Sequence, residues 1–304
     1  YNPSNHHIFT QGDDFMEIYT VKQGDTLTSI AERFGTTPDE IIKTNLITNP
    51  ENLVTGQDLI ILIPQITHTV TEGDTLASIA EEYNTSVSAI LRNNPTITSA
   101  NLPLGTSLAI TYRGVDPSRP IILNGYTYPE IPREKLIRIL PYLTFLTIFT
   151  YGFTNNGDLI APDDEELIQL ALDFGVAPVM LISTLTSAGT FSNELARTLL
   201  NSPELQSRLI NNIINTMDEK GYKALDIDFE YLPVENRESY INFVAALTEA
   251  LNAKGYYTLV ALAPKTSSTQ PGLLYESHNY LGLGRAANFA LLMTYEWGYT
   301  YNRI

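Results

Sequence analysis

Asp226, Asp228 and Glu230 alternate with Leu225, Ile227 and Phe229 in one short run. Successive side chains of a strand point to opposite faces. The run therefore reads as a strand with three carboxylates on one side and three large apolar groups on the other. Three acids in a row repel one another, and burying them costs free energy. Such a row is kept for proton chemistry or for a cation. Crowding by like charge holds at least one acid protonated near neutral pH, as a general acid requires. A calcium loop would need glycine where Tyr231 stands. A solvated acidic strand would not alternate with large apolar residues.

The surroundings of the row set the fold class. Residues 209–217 have helical spacing and Gly221 fits a helix stop. A helix, a short loop and an apolar strand make the rhythm of an α/β sheet. That rhythm extends from residue 120 to the end. Strands are expected at 121–126, 143–153, 176–185, 225–230, 257–263 and 289–295. Helices are expected at 133–140, 162–174 and 235–254, helical segments fill 193–219, and Gly282-Leu283-Gly284 reads as a loop. Strands alternating with helices imply a parallel sheet, and this number points to a (β/α)8 TIM barrel with its catalytic groups at C-terminal strand ends. Residues 118–304 are fewer than the roughly 250 of a typical barrel, so the barrel reads as truncated after about six strands. An open sheet would expose two long edges, which predicts a dimer through the open barrel or a less stable chain.

The N-terminal third repeats itself. Gly24-Asp25-Thr26-Leu27 returns as Gly73-Asp74-Thr75-Leu76, and Ser29-Ile30-Ala31-Glu32 as Ser78-Ile79-Ala80-Glu81. Asn45, Gly56 and Leu59 return as Asn94, Gly105 and Leu108 at the same offset. Each copy reads as strand, helix, helix, strand, a small α+β unit with a small core. Thr26 or Asp25 can cap the first helix, and Pro38 suits the first turn of the second. The expected boundaries are a tail at 1–16, native or foreign, units at 17–64 and 66–112, a linker at 113–119, and the barrel at 120–304.

Composition narrows the partners. The chain has 18 Lys and Arg against 34 Asp and Glu, a formal net charge of -16. This disfavours nucleic acid and anionic membranes, both of which call for basic surface. There is no cysteine, hence neither a disulfide framework nor a thiol nucleophile. His68 and His278 lack the spacing of metal ligands, so no metal is expected. No apolar run reaches the ~18 residues of a membrane span, and no signal peptide is visible.

Two resemblances follow from these residues. Leu225 to Glu230 resembles the Asp-x-Asp-x-Glu strand of the family 18 glycoside hydrolases, the chitinase-like enzymes. Lys223 and Ala224 stand where that family often has Asp-Gly. Met293-Thr294-Tyr295-Glu296 resembles the later Met-x-Tyr-Asp strand, with Glu for Asp. The repeat resembles the LysM domain, which recognises N-acetylglucosamine-containing glycans such as peptidoglycan and chitin. The combination is similar to spore peptidoglycan hydrolases of endospore-forming bacteria. It implies a location at the spore coat, cortex or cell wall, with a chitinase or an inactive wall-binding protein as alternatives.

The resemblance implies roles, and no cofactor. Glu230 would be the proton donor, Asp228 the partner of the substrate acetamido group, and Asp226 the group that tunes Asp228. Tyr295 would steady the acetamido oxygen. Glu296, Trp297, Tyr126 and Tyr151 would contact sugar. Tyr128 and Phe153 are further aromatic candidates, with core packing favoured for Phe153, and Lys265 is a weaker one. In the repeats, Gly24, Asp25, Thr26, Leu27, Gly73, Asp74, Thr75 and Leu76 would lie at the glycan. Leu27 and Leu76 read equally well as helix core.

Overall fold

The computed structural model describes residues 16–95, 97, 102–113 and 121–294. The chain divides into two compact units, residues 1–121 and 122–304.

The first unit contains both repeats. In the first, strand β1 (Met16–Thr20) leads to helices α1 (Leu27–Phe34) and α2 (Pro38–Asn45), then to β2 (Asp58–Leu62), which pairs antiparallel with β1. In the second, β3 (Pro64–Thr69), α3 (Leu76–Glu82), α4 (Val87–Asn93) and β4 (Ser107–Tyr112) repeat the order. Thr26 caps α1 through a reciprocal capping box with Ser29, and Thr75 caps α3 with Ser78.

The repeated asparagines join helix to strand. Asn45 donates to the Ile41 and Ile60 carbonyls and accepts from the Ile60 amide. Asn94 does the same with Ile90 and Ala109. Each side chain thereby satisfies backbone groups that neither ladder reaches. The apolar periodicity fills a small core: Val21, Leu27, Ile30, Ile41, Leu59 and Ile61 are buried together.

The second unit is an α/β half-barrel. Its elements are β5 (Asn124–Thr127), α5 (Arg133–Ile139), β6 (Phe145–Phe153), β7 (Leu159–Ile160), α6 (Glu165–Asp173), β8 (Ala177–Ser183), α7 (Asn193–Leu200), α8 (Pro203–Lys220), β9 (Ala224–Asp228), α9 (Arg237–Asn252), β10 (Tyr257–Leu262), α10 (Tyr280–Ala286) and β11 (Phe289–Leu292). Six parallel strands run in the order β11-β10-β9-β8-β6-β5, and β7 pairs antiparallel with β6. The core lies between the outer face of this sheet and the helices, where Ile148, Ile182, Leu225, Ile227, Leu209, Phe243 and Leu247 meet.

The helical segments expected at 193–219 are α7 and α8, divided where Ser202 caps the second and Pro203 starts it. One expectation needs correction: Gly282 and Gly284 lie within α10 and not in a loop. Two glycines in seven residues weaken the helical signal. Packing requires one of them: a Cβ on Gly282 would stand 2.4 Å from Cδ1 of Ile241 in α9.

Candidate active site

Strand β9 delivers the acid row. Parallel register sets Asp226 between Leu181 of β8 and Leu259 of β10, and Asp228 beside Ser183. All of these share the inner, lumen-side face of the sheet. Leu225 and Ile227 point the other way, into the helix-covered core. The apolar half of the run thus locks the strand, and the alternation forces the acids inward.

The three acids sit at different depths. Asp226 is fully buried, while Asp228 and Glu230 are partly buried. β9 ends at Asp228, so Glu230 stands two residues beyond it, on the loop that follows. Burial raises the Asp226 carboxyl to about 6, against the opposing pull of the Tyr126 hydroxyl and the Ile227 amide. Burial, then the charge of Glu230, then that of Asp226, raises Asp228 to about 7. The row therefore holds protons at a pH where ordinary aspartates have lost them. Among the described residues, Oδ1 of Asp226 and Oδ1 of Asp228 have no hydrogen-bond partner. Buried acceptors left open in this way are where a ligand donor fits.

Tyr126 belongs to the site in a way the sequence did not show. On β5 it registers with Thr147, Val179 and Ala224 along the inner face. Its hydroxyl donates to Oδ2 of Asp226. The residue is 43% exposed, and its bond to Asp226 is partly buried. Burial, then the Asp226 charge, holds the phenol far above its ordinary range, so it keeps its proton for the bond to Asp226. Tyr240 on α9 lies behind the row in the helix-side core, where its ring stacks on Phe229. It is fully buried, and burial followed by the charges of Asp228 and Asp226 raises its phenol. No spacing in α9 marks Tyr240 as different from a core residue.

Tyr151 is corrected. It registers with Ile182 and Ile227 on the outer face and is fully buried. Its hydroxyl donates to Asp164, which also accepts from Tyr222 and pairs with Lys220. A register shift in β6 between Ile148 and Tyr151 reverses the alternation that would have turned Tyr151 inward. Phe153 is core, stacked on Phe229 at 5.8 Å. Tyr128 is exposed and meets Phe149 edge-on at 5.1 Å. The Lys265 ammonium is occupied by the Tyr275 and His278 carbonyls, at 3.1 and 3.0 Å. Tyr295, Glu296 and Trp297 lie outside the described residues.

The repeat motif is also reassigned in part. Asp25 accepts from the Lys22 amide and the Tyr19 hydroxyl, and Asp74 from the Thr71 amide, so both side chains turn into their own loops. Thr26 and Thr75 cap helices, and Leu27 and Leu76 are core. Gly24 and Gly73 have φ of 86° and 92°, the left-handed region that suits glycine. Gly-Asp-Thr-Leu is therefore first a loop-shaping signature.

Residues 19–62 and 68–111 match the LysM domain, and residues 138–302 match glycosyl hydrolases family 18. The chain belongs to glycosyl hydrolase family 18, with two LysM domains ahead of a glycosidase half-barrel. It is 45% identical over 291 residues to the cortical fragment-lytic enzyme of Bacillus subtilis, covering 94% of this chain and 67% of that protein. The cortical fragment-lytic enzyme of Bacillus anthracis is 41% identical over 290 residues, covering 93% and 66%. The crystal structure of the spore cortex-lytic enzyme SleL of Bacillus megaterium aligns with a TM-score of 0.71 at 34% identity, over 94% of this chain and 67% of that one. The chain thus spans about two thirds of the length of these relatives.

Proposed function

We propose that this protein hydrolyses N-acetylglucosamine linkages in peptidoglycan by substrate-assisted, retaining catalysis. The acid row carries the reading: a fully buried and a partly buried aspartate, both raised toward neutral pH, followed by Glu230 just past the strand end. Ordinary retaining glycosidases place a carboxylate nucleophile beside the acid. Here the substrate's own acetamido oxygen would take that part.

Protonated Glu230 gives its proton to the glycosidic oxygen as the bond from that oxygen to the anomeric carbon breaks. The acetamido oxygen attacks the same carbon and closes a cationic five-membered ring. Asp228 accepts the acetamido N–H through a carboxylate oxygen and stabilises the positive charge. Asp226, held by Tyr126, tunes the proton affinity of Asp228. Water then opens the ring, with the Glu230 carboxylate removing its proton. Tyr295 is proposed to steady the acetamido oxygen, and Glu296 and Trp297 to contact sugar. The exposed rings of Tyr126 and Tyr128 supply stacking surface.

The two LysM domains would hold the enzyme on glycan through the loops that Gly24 and Gly73 shape. Two weak sites on one chain raise avidity without new contacts. The relatives and the LysM domains associate the chain with the spore or cell wall, and cortex is the finer location proposed. A dimer through β11 is proposed as well, because Phe289 and Leu292 on that strand are partly exposed; sedimentation equilibrium tests it.

The deciding experiment incubates the full-length protein with cortex muropeptides and, in parallel, with chitin oligomers. A new N-acetylglucosamine reducing end in the muropeptides supports the proposal. Cleavage of chitin alone would make the protein a chitinase. Binding to wall without cleavage of either substrate would make it a wall-binding protein.

A further inference from the structure

We infer that Ser277 and His278 position Glu230 by pinning the backbone carbonyls on both sides of it. His278 is fully buried on the segment between β10 and α10. The Ala263 amide, at the end of β10, donates to its Nδ1 at 2.9 Å. That contact fixes Nδ1 as an acceptor and leaves the ring proton on Nε2. Nε2 lies 3.1 Å from the Phe229 carbonyl oxygen and donates to it. The peptide unit that His278 holds is the one joining Phe229 to Glu230. On the far side of the acid, the Ser277 hydroxyl lies 2.8 Å from both the Leu232 and Pro233 carbonyl oxygens.

The loop needs such a hold. Glu230 lies past the last ladder bond of β9, so strand pairing no longer fixes it. Tyr231 has a φ of 54°, a conformation that a non-glycine residue keeps only where its surroundings impose it. Side-chain packing secures the flanks: Phe229 stacks on Phe153, Tyr240 and Phe243, and Leu232 is fully buried. The two carbonyl clamps secure the main chain between them. Burial, aided by the charge of Lys265, lowers the His278 pKa and so favours the neutral ring this arrangement needs. A protonated ring would turn a second N–H toward the Ala263 amide. The clamp also ties the acid loop to β10, the next strand of the barrel, so the site is built from two strand ends at once.

This inference rests on the glycosidase reading, and its test separates the two. Rates of the full chain and of His278→Phe, His278→Gln and Ser277→Ala are measured on a nitrophenyl N-acetylglucosaminide. They are normalised to folded protein by near-ultraviolet circular dichroism. Small displacements of a catalytic group cost up to about 100-fold in rate. His278→Phe should lower kcat about 10- to 100-fold with KM nearly unchanged. His278→Gln, which can still donate to the Phe229 carbonyl, should recover part of the loss, and Ser277→Ala should show a milder loss of kcat. In a Glu230→Gln background, His278→Phe should have no further effect, since a positioning residue acts only through the group it positions. An equal loss in both backgrounds would overturn the inference. So would lower thermal stability with kcat per folded molecule unchanged. If the wild-type chain is inactive on both the aryl glycoside and muropeptides, the glycosidase reading fails, and the inference with it.

Discussion

The hydroxyl of Tyr126 donates to Oδ2 of Asp226, a residue 100 positions further along the chain. Strands β6 and β8 separate β5, which carries Tyr126, from β9, which carries Asp226. In a flat sheet the two strands would lie roughly 14 Å apart, beyond the reach of a tyrosine. The bond exists because the sheet curls into a half-barrel and turns both residues into the lumen. Curvature thus converts strands that never pair into neighbours at the site.

Tyr126→Phe tests this bond. The hydroxyl lowers the Asp226 pKa against burial, so its removal should push that pKa above about 6. The acid limb of kcat/KM against pH should move upward, with kcat/KM falling about tenfold, the worth of one hydrogen bond to a charged group. A pH–rate profile that matches wild type would show that Tyr126 serves only as a sugar platform.

Glu230→Gln should abolish hydrolysis of unactivated substrate while folding and glycan binding persist. General acid catalysis contributes about 10² to 10⁴ in rate. Circular dichroism and wall sedimentation check the fold and the binding. Near-wild-type turnover would remove Glu230 from the acid role.

Asp228→Asn should stabilise the fold at neutral pH. The native pKa of Asp228 is raised to about 7 from an ordinary 3.8. Between those values the folded state binds more protons than the unfolded state, so stability falls as pH rises through that window. The asparagine removes the penalty. Its Tm should exceed that of wild type by a few degrees at pH ~8, and the gap should close toward pH ~4, as thermal scans across that range would report. A constant gap would assign the effect to packing.

Residues 17–112 should sediment with insoluble peptidoglycan without the barrel. Asn94→Ala should weaken that binding by unfolding the second repeat, because its side chain makes three buried hydrogen bonds. The loss should be about 2–3 kcal/mol in a fragment denaturation curve. If only the barrel unit binds the wall, the repeats are spacers.

The linear sequence determined the parts whose signal is local. A period of two with acids on one phase can only be a strand with an acid face, so Asp226 and Asp228 are legible from their spacing alone. The duplicated motif marks two like modules, and six apolar runs mark six strands. Tertiary structure decided what depends on partners far along the chain. Alternation says which residues share a face but not which face becomes the lumen. One register shift in β6 placed Tyr151 outward against Asp164. Gly282 reads as a helix breaker until Ile241 is seen packed where its side chain would be. Tyr126 is marked only as an aromatic near a strand end, and His278 carries no mark of its role. Tyr126 reaches Asp226 and His278 reaches the Phe229 carbonyl only because the curl of the barrel and the β10–α10 loop bring distant backbone together, and nonlocal pairing of that kind leaves no period in a sequence.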